Sequence, residues 1–384
     1  MTTARGHNTG TTCSRHFLSF LIFSGLFAPG LNAQTNPDLN VNLLIDCASA
    51  EQTMALIDGE FVNTETLARL RGNRIAASTT GLIANQMEIA LLLQSYLDSV
   101  KSRQRLGTDI YNLEAAEKNA RQIKELLTEI KKRNFSRRVA ATVEQIFPPN
   151  AVVNLTIPVY VVSLGHENVD AYVRRIDWHG DVPGFVGEKS GELTIVINLA
   201  QSVGLGPDLE ERFISLLCIV AHEVFHAAFS AYKENSPSWK AYYSKYNRPV
   251  DELIDLTMNE GIAYYLTLDQ RGRGYLPPGW NSRVRTSFRQ FNESARELSA
   301  ADLTRERAYE LIRSANLSGY WESYGSITGM FIAREIDMTL GRKALIGTIS
   351  SDPNSFIKKY SELAGQNSNL PALDQEILKV ISER

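Results

Sequence analysis

The sequence contains little cysteine and only a small surplus of negative charge, and each scarcity argues against a class of protein. Its 384 residues include three cysteines, of which Cys13 precedes the first apolar segment, so a disulfide scaffold and an N-terminal lipid anchor are both disfavoured. Forty basic and 43 acidic residues give a formal net charge of −3, which argues against nucleic acid and an anionic membrane as partners. After the first 33 residues, we expect no stable membrane span, because no segment is apolar for long enough.

The first 33 residues predict an export signal. The segment before residue 17 is basic and carries no acidic residue, and an apolar block follows at residues 17–31. Ala33 is a small residue after which a signal peptidase could cleave. We therefore expect a signal peptide at residues 1–33 and a mature protein that is periplasmic or secreted. Of the cysteines that remain, Cys218 is expected to pack as a small apolar residue, with a Cys47–Cys218 disulfide as the alternative.

Residues 34–150 predict an all-helical region. Apolar residues recur at spacings of three and four along Thr80–Val100 and again along Leu113–Ile130, which is typical of long amphipathic helices. No motif in this region carries recognisable chemistry. A boundary is expected at Pro148-Pro149-Asn150, and residues 151–384 form the second region.

The second region begins with strands. The hydrophobic period changes to two at residues 159–162, 171–173 and 193–199, which predicts a small, mostly antiparallel sheet just before the following helices. The fold class expected is therefore α+β, with a catalytic region of sheet and helices preceded by the helical region.

The most informative segment is an H-E-x-x-H sequence at residues 222–226. Residues four apart lie on one face of an α-helix, so His222 and His226 can bind one cation, with Glu223 beside it. Zinc hydrolases need this set: two imidazole nitrogens, and a carboxylate that takes a proton from the attacking water. Asp208 is a suitable N-cap for the helix, and the apolar run that follows predicts its burial. The alternative is a pair of core histidines satisfied by hydrogen bonds.

A third zinc ligand must come from elsewhere in the chain. Catalytic zinc sites have three protein ligands and one open position, but Phe229 and Lys233 occupy the places where an extended motif would have Gly and a third His.

Glu260 is the best candidate for that third ligand. It lies on an otherwise apolar helix stripe, where a carboxylate is costly unless it is paired or bound to metal. The helix opens at Pro249-Val250-Asp251 with an aspartate as expected N-cap, and Gly261 indicates close approach of another backbone. The alternative is a salt-bridged or solvated glutamate. Glu252 and Asp255 are weaker candidates, since acids are ordinary near a helix start.

With these motifs the sequence resembles the gluzincin metallopeptidases, the thermolysin-like group that combines H-E-x-x-H with a downstream glutamate. The segments Asn259–Ala263 and Tyr324–Met330 look most like a bacterial family of zinc-dependent peptidases, domain of unknown function 5700, and the resemblance covers about residues 157–360. It implies a zincin-like fold whose sheet has an edge strand, by analogy Leu193–Leu199, that can hold an extended substrate above the motif helix.

The resemblance has one departure. Thermolysin-like enzymes have an aspartate four residues after the ligand glutamate, which orients a ligand histidine, whereas this chain has Tyr264 there. The orienting group must therefore be different. Zincins also often supply an oxyanion donor downstream, for which Tyr324 is our candidate; Tyr320 competes, and core packing is the alternative for both.

The sequence therefore predicts an exported zinc-dependent peptidase acting on a peptide or protein. One Zn²⁺ ion is expected on His222, His226 and Glu260, with Glu223 as general base. The alternative is a non-catalytic, zinc-stabilised binding or scaffold protein of the cell envelope. The presence of Glu223 and the lack of an evident fourth ligand in the sequence both argue against it.

Overall fold

The computed structural model describes residues 38–382, except for residues 105, 188–189, 247, 273–274 and 317–322. The expected export signal and Tyr320 therefore lie outside the described residues. Residues 36–384 belong to one compact unit, in which contacts join the two sides of the expected boundary at residue 150.

The strands form one mixed sheet in the order β1-β2-β5-β3-β4. Pairings β1–β2 and β2–β5 are parallel, and pairings β3–β4 and β3–β5 are antiparallel, so the prediction of a mostly antiparallel sheet is wrong. The bounds are β1 Asp38–Asp46, β2 Val152–Val162, β3 Ala171–His179, β4 Val182–Phe185 and β5 Glu192–Asn198.

The first strand also corrects the description of residues 34–150 as all-helical. Strand β1 pairs residue for residue with β2, from Asp38 opposite Val152 to Asp46 opposite Tyr160. Its alternation of polar and apolar residues is a strand pattern, but the partner strand lies more than 100 residues later in the chain. The sheet therefore joins both regions of the chain.

Strand β5 lies inside the sheet, between β2 and β3. The edges are β1 and β4, so the expectation that Leu193–Leu199 is a substrate-holding edge strand is wrong. Its residues Thr194–Asn198 are consecutively buried, which is the pattern of a strand covered on both faces.

The first region contains short helices, not two long ones. The predicted helix Thr80–Val100 is broken at Asn85, which adopts a left-handed backbone (φ 53°) that asparagine tolerates, and Leu113–Ile130 is interrupted at Asn119. The elements are α1 Ala48–Ile57, α2 Thr64–Arg69, α3 Arg71–Ile83, a 3₁₀ helix Met87–Leu92, α4 Leu93–Ser102, α5 Leu113–Lys118, α6 Ala120–Lys132 and α7 Phe135–Glu144.

The second region is mostly helical after the sheet. Its elements are α8 Leu199–Ser202, α9 Leu209–Asn235, α10 Pro237–Tyr243, α11 Pro249–Gln270, α12 Trp280–Leu298, α13 Arg305–Ala315, α14 Tyr324–Leu340, α15 Arg342–Ser350, α16 Pro353–Gln366 and α17 Gln375–Ser382. Helix α11 packs most extensively on α14 and also packs on α9, so it lies at the centre of this group.

Helix α9 carries the H-E-x-x-H sequence. The Asp208 side chain accepts a hydrogen bond from the Glu211 amide (2.9 Å), which confirms the expected N-cap. By length and composition alone α9 is long and apolar enough to cross a membrane, which the sequence analysis did not expect. Two thirds of its most apolar stretch (67%) is buried within the protein, as is typical of a core helix. The Cys218 thiol on this helix is buried and free, and Cys47 is also free.

Helix α11 begins earlier than an N-cap at Asp251 would place it. Pro249 is the first helical residue, and the N-cap is Arg248. Asp251 lies at the third helical position, where its carboxylate accepts a hydrogen bond from the Arg248 amide (3.0 Å), so its assignment as N-cap is wrong.

Two glycines allow α11 and α14 to cross at backbone contact. A Cβ atom at Gly261 would lie 2.2 Å from the Gly329 carbonyl carbon, and one at Gly329 would lie 1.8 Å from the Thr257 carbonyl oxygen. Any side chain at either position must push the helices apart, which confirms the close approach expected at Gly261. This crossing fixes the position of the turn of α11 that carries Glu260.

We expect Gly329→Ala to lower the free energy of unfolding by about 2 kcal/mol or more, because the new methyl group overlaps the backbone of α11. Gly347→Ala on α15 is the matched control, since a Cβ there meets no atom within 4 Å. The control should be neutral or stabilising by up to about 1 kcal/mol. Urea denaturation measures both; equal stability of the two variants would contradict the described crossing.

Candidate metal centre

Three side chains on α9 and α11 converge on one point. The Nε2 atoms of His222 and His226 are 2.9 Å apart, and the Glu260 Oε2 atom lies 3.6 Å from the first and 3.5 Å from the second. Donor atoms bound to one tetrahedral zinc at 2.0–2.2 Å are separated by about 3.3–3.6 Å. The three residues therefore fit a small cation, and the structure brings together the three ligands expected from the sequence.

Helices α9 and α11 run antiparallel on either side of this group, and ion pairs join them at both ends. Arg271 contacts the Glu211 carboxylate at one end, and the Lys233 ammonium is 3.0 Å from Asp255 Oδ1 at the other. Asp255 is thus engaged by Lys233. Neither it nor Glu252, which is exposed, belongs to the converging group.

The electrostatics favour a neutral imidazole at His222 and an anionic carboxylate at Glu260. Burial, reinforced by the neighbouring His226, lowers the pKa of His222 to about 3, so its imidazole is neutral. Burial alone would lower the pKa of His226, but the hydrogen bond and charge of Glu260 raise it overall. Burial alone would raise the pKa of Glu260, but both histidines and a hydrogen bond from Asn316 lower it, so Glu260 is ionised. Zinc accepts this combination of nitrogen and carboxylate ligands.

Glu223 is adjacent to His222 in the chain and is not a member of the converging group of three residues. Burial raises the pKa of its carboxyl group above the ordinary value, and the negative charge of Glu260 adds to this, while His226 opposes it. A carboxylate with a raised pKa accepts a proton more readily, as a general base requires.

Two asparagines contact the converging side chains, and the sequence analysis identified neither of them. The Asn259 Oδ1 atom lies 3.3 Å from His226 Nδ1, and the Asn316 amide donates to Glu260 Oε1 (3.0 Å). The contact of Asn259 could have been considered from the sequence, because Asn259 immediately precedes Glu260. The contact of Asn316 could not, because Asn316 is 56 residues from Glu260 and follows α13. Ligand carboxylates and imidazoles are commonly held by such partners.

The position at which thermolysin-like enzymes have an aspartate carries Tyr264. Its ring packs against the ring of His222, with 4.2 Å between the two ring centres. An aromatic contact therefore restrains His222 where a carboxylate does so in the enzymes that the sequence resembles.

Tyr324 lies at the start of α14 and is buried. Its hydroxyl donates to the Leu311 carbonyl oxygen (2.8 Å), and neither residue of that pair is among the three ligands. These are the contacts expected from the core-packing alternative. The oxyanion role of Tyr324 stays a prediction, and it requires the hydroxyl to leave Leu311.

Comparison with known proteins found one family. The family model described as "Putative zinc dependent peptidase (DUF5700)" matches residues 64–369, a span that contains His222, Glu223, His226, Glu260 and Asn316. No curated protein and no solved structure matches the chain.

We expect Asn316→Ala and Asn259→Ala each to weaken zinc binding by about 10- to 100-fold, because each removes the hydrogen bond that fixes one ligand. Ser314→Ala is the control: this exposed residue is near Asn316 in the chain, and its hydroxyl donates only to the Glu310 carbonyl. A competition titration against a zinc chelator gives the dissociation constants. Wild-type affinity in both asparagine variants would show that these contacts do not support the metal.

Proposed function

The chain belongs to the DUF5700 family, and on this premise we propose that it is a zinc-dependent peptidase with one Zn²⁺ ion bound by His222, His226 and Glu260. The observation that supports this most strongly is the convergence of two imidazole nitrogens and one carboxylate oxygen within 4.8 Å of one another. In the described part of the chain no fourth His, Cys, Asp or Glu joins them. Three protein ligands and an open position favour a catalytic site over a structural one.

The residues around the ligands have separate roles in the proposed hydrolysis. Zinc bound there would polarise the scissile carbonyl and lower the pKa of a water to about 7. Glu223 would accept a proton from the attacking water and later deliver it to the leaving amine, for which its raised pKa suits it. Asn259 and Asn316 would hold His226 and Glu260 in place during both steps.

We further assign the site to the gluzincin type and the surrounding region to a zincin-like fold. The assignment is supported by the placement of both histidines and Glu223 on one long helix, α9, and of Glu260 on the next long helix, α11. The mixed sheet packs against α9 through β2 and β3.

The proposed peptidase would act outside the cytoplasm, in the periplasm or as a secreted protein. The support for this comes from the sequence of residues 1–33, with its basic lead and apolar block. Its substrate would be a peptide or a protein.

Glu223→Gln should abolish peptide cleavage while zinc stays bound. The amide cannot accept the proton of the attacking water, and loss of a general base typically costs about 10²–10⁴ in rate. Glu223 is not among the three ligands, so zinc content should equal that of the wild type. A peptide-library digest beside metal analysis measures both quantities. Undiminished cleavage by this variant of any peptide that the wild type cuts would refute the proposed mechanism.

A further inference from the structure

A groove between α11 and α13 adjoins the candidate metal centre through Asn316. It is a cavity of about 410 Å³ whose walls include Leu256 and Glu252 from α11 and Tyr309 from α13. Asn316 also lines it, and the same side chain donates to Glu260 Oε1 (3.0 Å). Asn316 therefore lies between the groove and the Glu260 carboxylate and contacts both.

The groove has the correct reach for a substrate that is cleaved at the metal. Leu256 and Glu252 precede Glu260 by four and eight residues on α11, which is about 6 and 12 Å along the helix axis. An extended peptide advances about 3.3 Å per residue. The groove would thus receive substrate residues about two to four positions from the scissile bond.

The positive charge in this groove is available to a ligand. Arg305 and Arg313 both line it, and neither makes a side-chain hydrogen bond or ion pair with any part of the chain that the structure describes. Arg307 on the same helix is different, since Glu297 (2.6 Å) and Glu310 (3.2 Å) hold it. Among the described residues that line the groove, Glu252 alone is acidic.

A second cavity, which is lined by His226, offers no comparable group. It contains Lys233, whose ammonium is held by Asp255 (3.0 Å) and Tyr243 (3.2 Å). Its other charged residues, Lys240 and Glu234, offset one another. If the protein selects a charged group of its substrate near the metal centre, we therefore expect the α11–α13 groove to bind that group.

We propose that the α11–α13 groove is a substrate subsite that binds a carboxylate of the peptide through Arg313, with Arg305 as a second cation. The guanidinium group presents two parallel N–H donors that match a carboxylate. The chain as a whole carries a net charge of −3, so the positive groove is a local feature. The carboxylate can be an Asp or Glu side chain or the C-terminus of the substrate. The proposal rests on the proposed peptidase function.

The test uses the zinc-loaded mature protein and a matched set of fluorescent peptides. Each peptide carries either Glu or Gln at one of four positions on either side of the cleaved bond, and each is made with a free and with an amidated C-terminus. Steady-state cleavage gives kcat/KM for the wild type, Arg313→Gln, Arg305→Gln and the double variant. Arg289→Gln is the control, an exposed arginine on α12 that removes the same charge elsewhere. Fluorescence anisotropy measures binding of the same peptides to Glu223→Gln protein with and without Arg313→Gln.

The wild type should prefer the carboxylate-bearing peptide by about 5- to 20-fold at one position. Arg313→Gln should reduce that preference to near unity, whereas Arg289→Gln should leave both the preference and the rate for the Gln peptide unchanged. An effect of Glu identifies a side-chain carboxylate, and an effect of the free C-terminus identifies the terminal one; both support the subsite. Equal rates for all wild-type peptides, or a preference that survives the double variant, would overturn it.

The two proposals fail in different ways. If the wild type cuts no peptide, the peptidase function is refuted, and the binding measurements decide on the groove alone. An Arg313-dependent preference for the carboxylate in binding supports the subsite, and binding without that preference overturns it.

Discussion

The rest of this structure depends on a buried carboxylate that faces two imidazoles. Taking Glu260 out of water is costly, and His226, His222 and Asn316 compensate by stabilising its ionised form. A bound cation would complete that compensation, because two nitrogen donors and one oxygen donor already converge on one point. The antiparallel pairing of α9 and α11 and the ion pairs at both ends serve to hold these groups together.

The backbone contact between α11 and α14 is the second requirement for this arrangement. Gly261 follows the ligand carboxylate directly, and its contact with Gly329 leaves no space for a side chain on either helix. Helix α14 can therefore pack at backbone contact against α11 only as long as both positions are glycine. Local stability and ligand geometry are thus coupled through one crossing.

The parts of the site that could be predicted from the sequence are those set by local periodicity. The histidines and Glu223 follow from spacing along one helix, and Asp208 follows from the preference of aspartate for N-caps. Glu260 was found because a carboxylate on an apolar stripe demands a partner. Asn316 could not be found, since nothing in the local sequence indicates that the end of α13 meets α11.

The errors in the predicted fold have the same cause, because local sequence patterns do not show which distant segments meet. The parallel pairing of β1 with β2 joins segments far apart in the chain, and the central position of β5 depends on both neighbours. Strand spacing alone gives neither the order nor the direction of strands. The break at Asn85 was missed because one left-handed residue interrupts a helix without disturbing its apolar periodicity.

The central claim is that Glu260 completes the zinc site. The most direct measurement is zinc content per chain in folded protein after dialysis against a weak chelator, compared between Glu260→Ala and Glu252→Ala. Glu252 lies two turns earlier on the same helix, is exposed, and is not one of the converging ligands. We expect the wild type and Glu252→Ala to retain one zinc ion per chain and Glu260→Ala to retain far less. Full zinc content in Glu260→Ala, together with loss of zinc in Glu252→Ala, would contradict this account.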